Sequence, residues 1–234
     1  NYDVIIFGFF HYPQMPPLVE AFRSTDPEVT WQTHGPKKIF CEIDDWLHDT
    51  PAYNPAFKQG WTPGNPKEKV PQLQMMISDG VINATQWLAD KHKDLNKNSH
   101  VIPNCIDFDD WWDVKAKHKK NQRKDKVRIG WSGGNNHDED LRILPIIISR
   151  LNETHRGKFE FYLIHGAPTY LRNTESVRWI SKWVSIDKYP QELANYKIDI
   201  GIAPLDFNKF NHGKSNLKWL EFSALKIPTV ATDI

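Results

Sequence analysis

Short β-branched and aromatic runs alternate with amphipathic helical runs along the chain, and this alternation constrains the fold more than any other feature. Strands separated by helices return parallel to one another, which predicts an α/β protein. The first series begins with a strand over residues 3–9, a helix over 18–23 and the strand KKIFCEI over 37–43. A proline- and glycine-rich excursion over 48–66 reads as a loop, and its length marks it as functional or mobile. A helix over 67–77 follows, then the strand GVINAT, with Thr85 capping the helix TQWLADKHKDLN, and the strand SHVIP closed by Pro103. The second series enters a glycine turn from a strand over 127–131, with a helix starting at His137 or Asp138. Strands FEFYLIHG, WVSI near Trp183, DIGIAPL and IPTVATD complete it. Such a repeat predicts a doubly wound domain.

Between the series lies the run 115–126, in which eight of twelve residues are Lys, Arg or His. It reads as a solvated linker, the other reading being a patch for nucleic acid or acidic lipid. The expected division is therefore a domain over 1–114, a basic linker over 115–126 and a domain over 127–234. A length of 234 residues holds one large domain or two small ones, and the formal net charge of +1 argues against a nucleic-acid partner. The two cysteines, Cys41 and Cys105, lack the spacing of a disulfide framework or a metal site and fit a reducing, cytoplasmic setting. Asn83 and Asn152 match the glycosylation acceptor pattern, which has no meaning in a cytosolic chain. No apolar run reaches the roughly 18 residues of a membrane span, and no signal peptide is visible. The chain opens on a strand and stops just past another, so a piece of a longer polypeptide is expected.

Candidate functional residues cluster at predicted strand ends, where ligands bind in doubly wound sheets. Gly133, Gly134 and Asn135 form a turn through which a backbone can approach a phosphate, or simply a tight turn. The following His137-Asp138-Glu139-Asp140 suits either a hard metal or a helix's first turn, and the dipole favours the latter. Asp44 and Asp45 end a strand, as metal ligands, as a base or as caps of the next turn. His165 and Gly166 end another strand, and His11 follows the first. No serine–histidine–aspartate order or zinc spacing is present. Near the end, FNHGKSNLKWLEFSALKIPTVATDI sets Lys214, Lys218 and Glu221 at steps of four and three, one face of a helix. Leu217, Leu220 and Ala224 form an apolar stripe on one side of that face, with Trp219 and Phe222 on the other. A surface ion pair between Lys218 and Glu221 is one reading; an anion seated between the lysines is the other.

The segments CEIDDWLHDTPAYNP, VIPNCIDFDDW, IGWSGGNNHDEDL and DIGIAPLDFNKFNHGKSNLKWLEFSALKIPTVATD together resemble a glycosyltransferase of the two-domain GT-B fold, in the retaining, glycogen-synthase-like group of bacterial or viral type. The resemblance covers nearly the whole chain, most securely from Val127 onward. It implies two Rossmann-like doubly wound domains facing across a cleft, the first incomplete. Asn104 to Asp107 correspond to the group's Asn-x-Ile-Asp element, Gly133-Gly134 to its phosphate-facing turn, and Glu221 to its ribose-binding glutamate. Lys214, Ser215 and Lys218 would then face the diphosphate, where cations stabilise the departing charge without a metal or other cofactor. Asn135, His165 and Gly166 would also line the donor site, while His11, Asp44 and Asp45 would be catalytic or acceptor-side groups. The implied reaction moves a sugar from a nucleotide-diphosphate sugar to a glycan, lipid or other acceptor with retention of configuration. Peripheral contact with the inner face of a membrane belongs to the same expectation. Three departures stand out: Gly213 occupies the place of a second glutamate, the usual basic residue of the glycine-turn region is not evident, and Lys226 replaces a glycine before Ile-Pro. Gly213 favours the competing reading, a catalytically reduced carbohydrate-binding or structural module. A sugar-phosphate isomerase related by fold alone is a third.

Overall fold

The computed structural model describes residues 2–8, 15–29, 35–109 and 126–234. His11 and all but the last residue of the expected linker lie outside them. The described residues fall into two compact units, those within Asn1–Ala52, Ala56–Asn104 and Asn208–Ser215, and those within Tyr53–Pro55, Cys105–Phe207 and Asn216–Ile234.

The first unit holds strands β1 (Val4–Phe7), β2 (Lys38–Ile43), β3 (Gly80–Asn83) and β4 (Ser99–Val101), all parallel and in the order β1-β2-β3-β4. Alternation in β2 places Ile39, Cys41 and Ile43 on one buried face, against Val19 of helix Met15–Arg23 and Met75 of helix Pro66–Ile77. Burial, with Glu42 beside it, pushes the Cys41 thiol up to about 12, so this cysteine is a core residue rather than a reactive one. The excursion expected as a loop contains helical turns at Leu47–Asp49 and Pro55–Lys58. Its end is a helix start: Asn65 Oδ1 accepts from the Lys67 amide, with Pro66 inside the first turn. Thr85 accepts from the Leu88 amide, as its capping role requires.

The second unit holds β5 (Val127–Gly133), β6 (Phe159–His165), β7 (Val177–Ile180), β8 (Ile200–Ala203) and β9 (Thr229–Ala231), parallel and in the order β7-β6-β5-β8-β9. Strand order reverses between β5 and β8, which makes their carboxyl ends the switch point of the sheet. Every residue of β6 is buried. Phe159, Phe161 and Leu163 pack with Leu144 and Ile148 of helix Leu144–His155 on one face. Tyr162 and Ile164 pack with Leu193 of helix Tyr189–Asn195 and Phe222 of helix Leu217–Ala224 on the other. Helices on both faces explain the unbroken burial of FEFYLIH, in which Glu160 is paired with Arg178 and Lys126.

Two expectations move. The strand beside β6 is VRWI, Val177–Ile180, and WVSI lies beyond it, running into the turn Ile186–Lys188. The helix after the glycine turn begins at Leu144, with Pro145 in its first turn, so His137 to Asp140 are turn residues. Lys226 explains why a glycine suits its position. Its φ of 60° is left-handed, and its amide bonds Ser223 O while that of Ile227 bonds Phe222 O, closing the helix end. Lys226→Gly is expected to stabilise the second unit by about 1 kcal/mol, measured by urea denaturation, because the left-handed strain disappears. Among the described residues no helix is long and apolar enough to cross a membrane.

Candidate functional site

The carboxyl end of β5 at the switch point carries Trp131, Ser132 and Gly133, and the bend beyond it is built around missing side chains. A Cβ on Gly133 would stand 2.6 Å from Trp131 Cζ2 and 3.2 Å from Lys218 Nζ. A Cβ on Gly166 would stand 2.7 Å from the backbone of Gly134, and the Gly166 amide bonds Gly133 O at 2.8 Å. Gly134 is followed by Asn135, which is exposed. The two glycine positions thus bring the ends of β5 and β6 into backbone contact.

Helix Leu217–Ala224 lies over this end. Its buried residue is Phe222, on Gly201 of β8, while Trp219 is 47% exposed; the apolar stripe expected on Leu217, Leu220 and Ala224 is only partly buried. Lys218 Nζ stands 5.6 Å from the centroid of the Trp131 ring, above the glycine bend. Glu221 Oε2 lies 3.1 Å from Tyr189 Oη, which lies 3.0 Å from Ser132 Oγ, which in turn lies 3.4 Å from His165 Nδ1. Burial pushes the Glu221 carboxyl up, opposed by the Lys218 ammonium and the Tyr189 hydroxyl. Burial also pushes the Tyr189 hydroxyl up, as does Glu221. His165 is held down by burial, with Glu192 opposing and Lys218 adding to the effect. Its φ of 72° is left-handed, and its ring stacks on Trp183 at 4.5 Å between centroids. Sequence reasoning missed Tyr189, which joins Ser132 and Glu221 from positions 57 and 32 residues away with no local signal.

Lys214 does not share the helix of Lys218 and Glu221. The segment folds as a one-turn helix, Lys209–His212, capped by Asn208, then a break at 213–216 before the second helix begins at Leu217. Residues Asn208–Ser215 belong to the first unit. There Lys214 Nζ pairs with Asp45 Oδ1 at 2.7 Å and lies 4.5 Å over the Phe210 ring. Burial and the Asp45 carboxylate push Asp44 up, with Lys214 opposing. Ser215 Oγ accepts from Asn104 Nδ2 at 2.8 Å. Gly213 is closely packed: a Cβ there would stand 3.1 Å from both Leu88 Cδ2 and Trp46 Cβ and 3.2 Å from the Trp46 amide nitrogen. The Thr85 hydroxyl donates to its carbonyl. So Asp44, Asp45, Lys214 and Ser215 gather in the first unit, and Gly133, Gly134, His165, Gly166, Lys218 and Glu221 in the second.

The acidic stretch after the glycine turn is a structural bracket. His137 Nδ1 meets Asp140 Oδ2 at 2.6 Å, and Asp140 Oδ1 accepts from the Asp206 amide beyond β8. Among the described residues no group of three His, Cys, Asp or Glu is placed to hold a metal ion.

No protein-family model and no curated protein matches this chain. Solved structures do. α,α-Trehalose 6-phosphate synthase from Burkholderia multivorans aligns over 98% of this chain and 56% of its own, at 12% identity and a TM-score of 0.57. An E. coli trehalose-6-phosphate protein bound with UDP-2-fluoro glucose aligns over 99% and 58%, at 13% identity and 0.55. The lipopolysaccharide outer core galactosyltransferase WaaB, in its apo form, aligns over 98% and 56%, at 11% identity and 0.50. The chain shares the GT-B fold of these proteins. It spans somewhat over half their length.

Proposed function

We propose that the chain is part of a glycosyltransferase that takes its sugar from a nucleotide-diphosphate donor bound on the second unit. One observation carries this reading: a lysine ammonium and, through Tyr189 and Ser132, a partly buried carboxylate are gathered beside a glycine bend at the switch point of a parallel sheet. A backbone bend without Cβ atoms admits a phosphate, Lys218 balances its charge, and Glu221 offers acceptor oxygens to ribose hydroxyls. The UDP-sugar held by the E. coli structure of the same fold supports this ligand class. Lys218 stabilises the diphosphate as it leaves, supplying charge that a metal supplies elsewhere. Gly134, Asn135 and Gly166 form the phosphate-facing turn with Gly133. On the first unit, Asp44 and Asp45 serve the acceptor, a glycan or lipid-linked hydroxyl, and Lys214 holds Asp45 rather than the donor; the resemblance gives His11, outside the described residues, the same role. Retention of configuration and a cytoplasmic site at the inner face of a membrane complete the proposal.

A panel of nucleotide-diphosphate sugars tests it, with release of nucleoside diphosphate followed by chromatography and the anomeric proton of the product by NMR. The wild type is expected to consume at least one donor, and Lys218→Ala to lower the rate about 100-fold, as for loss of one transition-state donor. The close packing of Gly213 favours a second reading, a carbohydrate-binding module without transfer activity, because a side chain there would crowd Leu88 and Trp46. Glycan binding without turnover of any donor would decide for that module.

A further inference from the structure

The chain of polar groups from Glu221 to His165 has a direction. The Lys218 ammonium one turn away favours the ionised form of Glu221, and an ionised carboxylate only accepts, so the single proton of Tyr189 Oη goes to Glu221 Oε2. Tyr189 then accepts from Ser132 Oγ, whose proton is committed, and Ser132 accepts in turn from His165 Nδ1–H. The tautomer of His165 follows from its partners. Its proton sits on Nδ1, and Nε2 keeps a lone pair. That Nε2 is buried and has no hydrogen-bond partner among the described residues, and the residue is only 7% exposed. A buried acceptor left empty is unfavourable, so such atoms await a donor. The ring is also fixed by its stack on Trp183, and the backbone by the bond from Trp179 Nε1 to His165 O.

We infer that His165 is a ligand-binding residue whose Nε2 accepts a hydrogen bond from an N–H or O–H of the nucleotide, and that Tyr189 and Ser132 are positioning residues that lock this acceptor tautomer through Glu221. This inference rests on the nucleotide reading of the second unit. The same carboxylate that would hold the ribose thereby sets, through three hydrogen bonds, the form of the imidazole at the end of β6.

NMR of the full chain labelled with 15N-histidine tests it. In the unliganded wild type, His165 is expected to carry its proton on Nδ1, with Nε2 unprotonated. In Tyr189→Phe the lock is broken, and the proton is expected to move to Nε2, the ordinary tautomer of free histidine. A proton on Nε2 in the wild type, or an unchanged tautomer in Tyr189→Phe, overturns the inference. On saturation with uridine diphosphate the Nε2 resonance is expected to move upfield, and His165→Phe to weaken binding about 10-fold. Persistence of the shift with N3-methyl-uridine diphosphate assigns the donor to a hydroxyl, and its loss assigns it to the base. A bound nucleotide that leaves Nε2 unmoved contradicts the acceptor role. Failure of every nucleoside diphosphate to bind, with the Nδ1 tautomer intact, sinks the proposed function instead, because the tautomer is read without ligand.

Discussion

Lowering the pH from 7 to 4 is expected to destabilise the first unit by about 3 kcal/mol through His92 alone. The ring is buried, and burial, aided by the neighbouring His48, holds its pKa down to about 4. Asn83 gives its amide protons to Ser99 Oγ and His100 O, so its Oδ1 accepts from His92 Nδ1–H at 2.6 Å. The remaining nitrogen, Nε2, is buried without a partner among the described residues, and the ring lies among aromatic neighbours, with Trp46 stacked at 5.6 Å and His48 edge-on at 5.6 Å. A proton arriving there has no acceptor. The unfolded chain binds it near pH 6.5 and the folded one only near 4, so stability is fully present above 6.5 and is lost as pH falls toward 4. Amide exchange at Ile39, Cys41 and Val81 reads this unit specifically. Protection should fall across that window in the wild type and stay level in His92→Gln. A level wild type, or a His92→Gln variant that keeps the slope, would remove this account of the cluster.

The second large effect is expected from Gly166→Ala, at about 3 kcal/mol, the upper part of the range for overpacking. The new methyl would meet backbone atoms of Gly133 and Gly134 at 2.7–2.8 Å, and backbone cannot rotate away as a side chain can. Either the ends of β5 and β6 part, breaking the bond from the Gly166 amide to Gly133 O, or the bend is displaced under Lys218. Both outcomes reach the nucleotide site. Urea denaturation should show the loss in stability, and crystallography of the variant should show the bend moved. A variant as stable as the wild type, with its bend unmoved, would mean that the close approach is not needed.

Much of the architecture is legible in the residues. KIFCEI alternates and FEFYLIH does not, which distinguishes a strand covered on one face from one covered on both. VRWI and WVSI are both short β-like runs, and only pairing with β6 selects the first. HDED has the composition of a first helical turn, but the turn is closed by a local bond from His137 to Asp140 and a tertiary one from the Asp206 amide to Asp140. The spacing of Lys214, Lys218 and Glu221 is helical, yet Gly213 is pinned on Trp46 and Leu88, and the chain breaks before Leu217. Spacing reports a face only where the helix is continuous. Tyr189 could not be found from spacing, since its partners come from other elements and its only local mark is the proline that opens its helix.

Isothermal titration of the full chain with uridine, adenosine and guanosine diphosphates tests the central claim most directly. At least one should bind, and Glu221→Ala and Lys218→Ala should each weaken it by roughly 10- to 100-fold, the loss of a charged hydrogen bond. Heat from none of the three, or affinities unchanged in both variants, would contradict a nucleotide site at the end of β5.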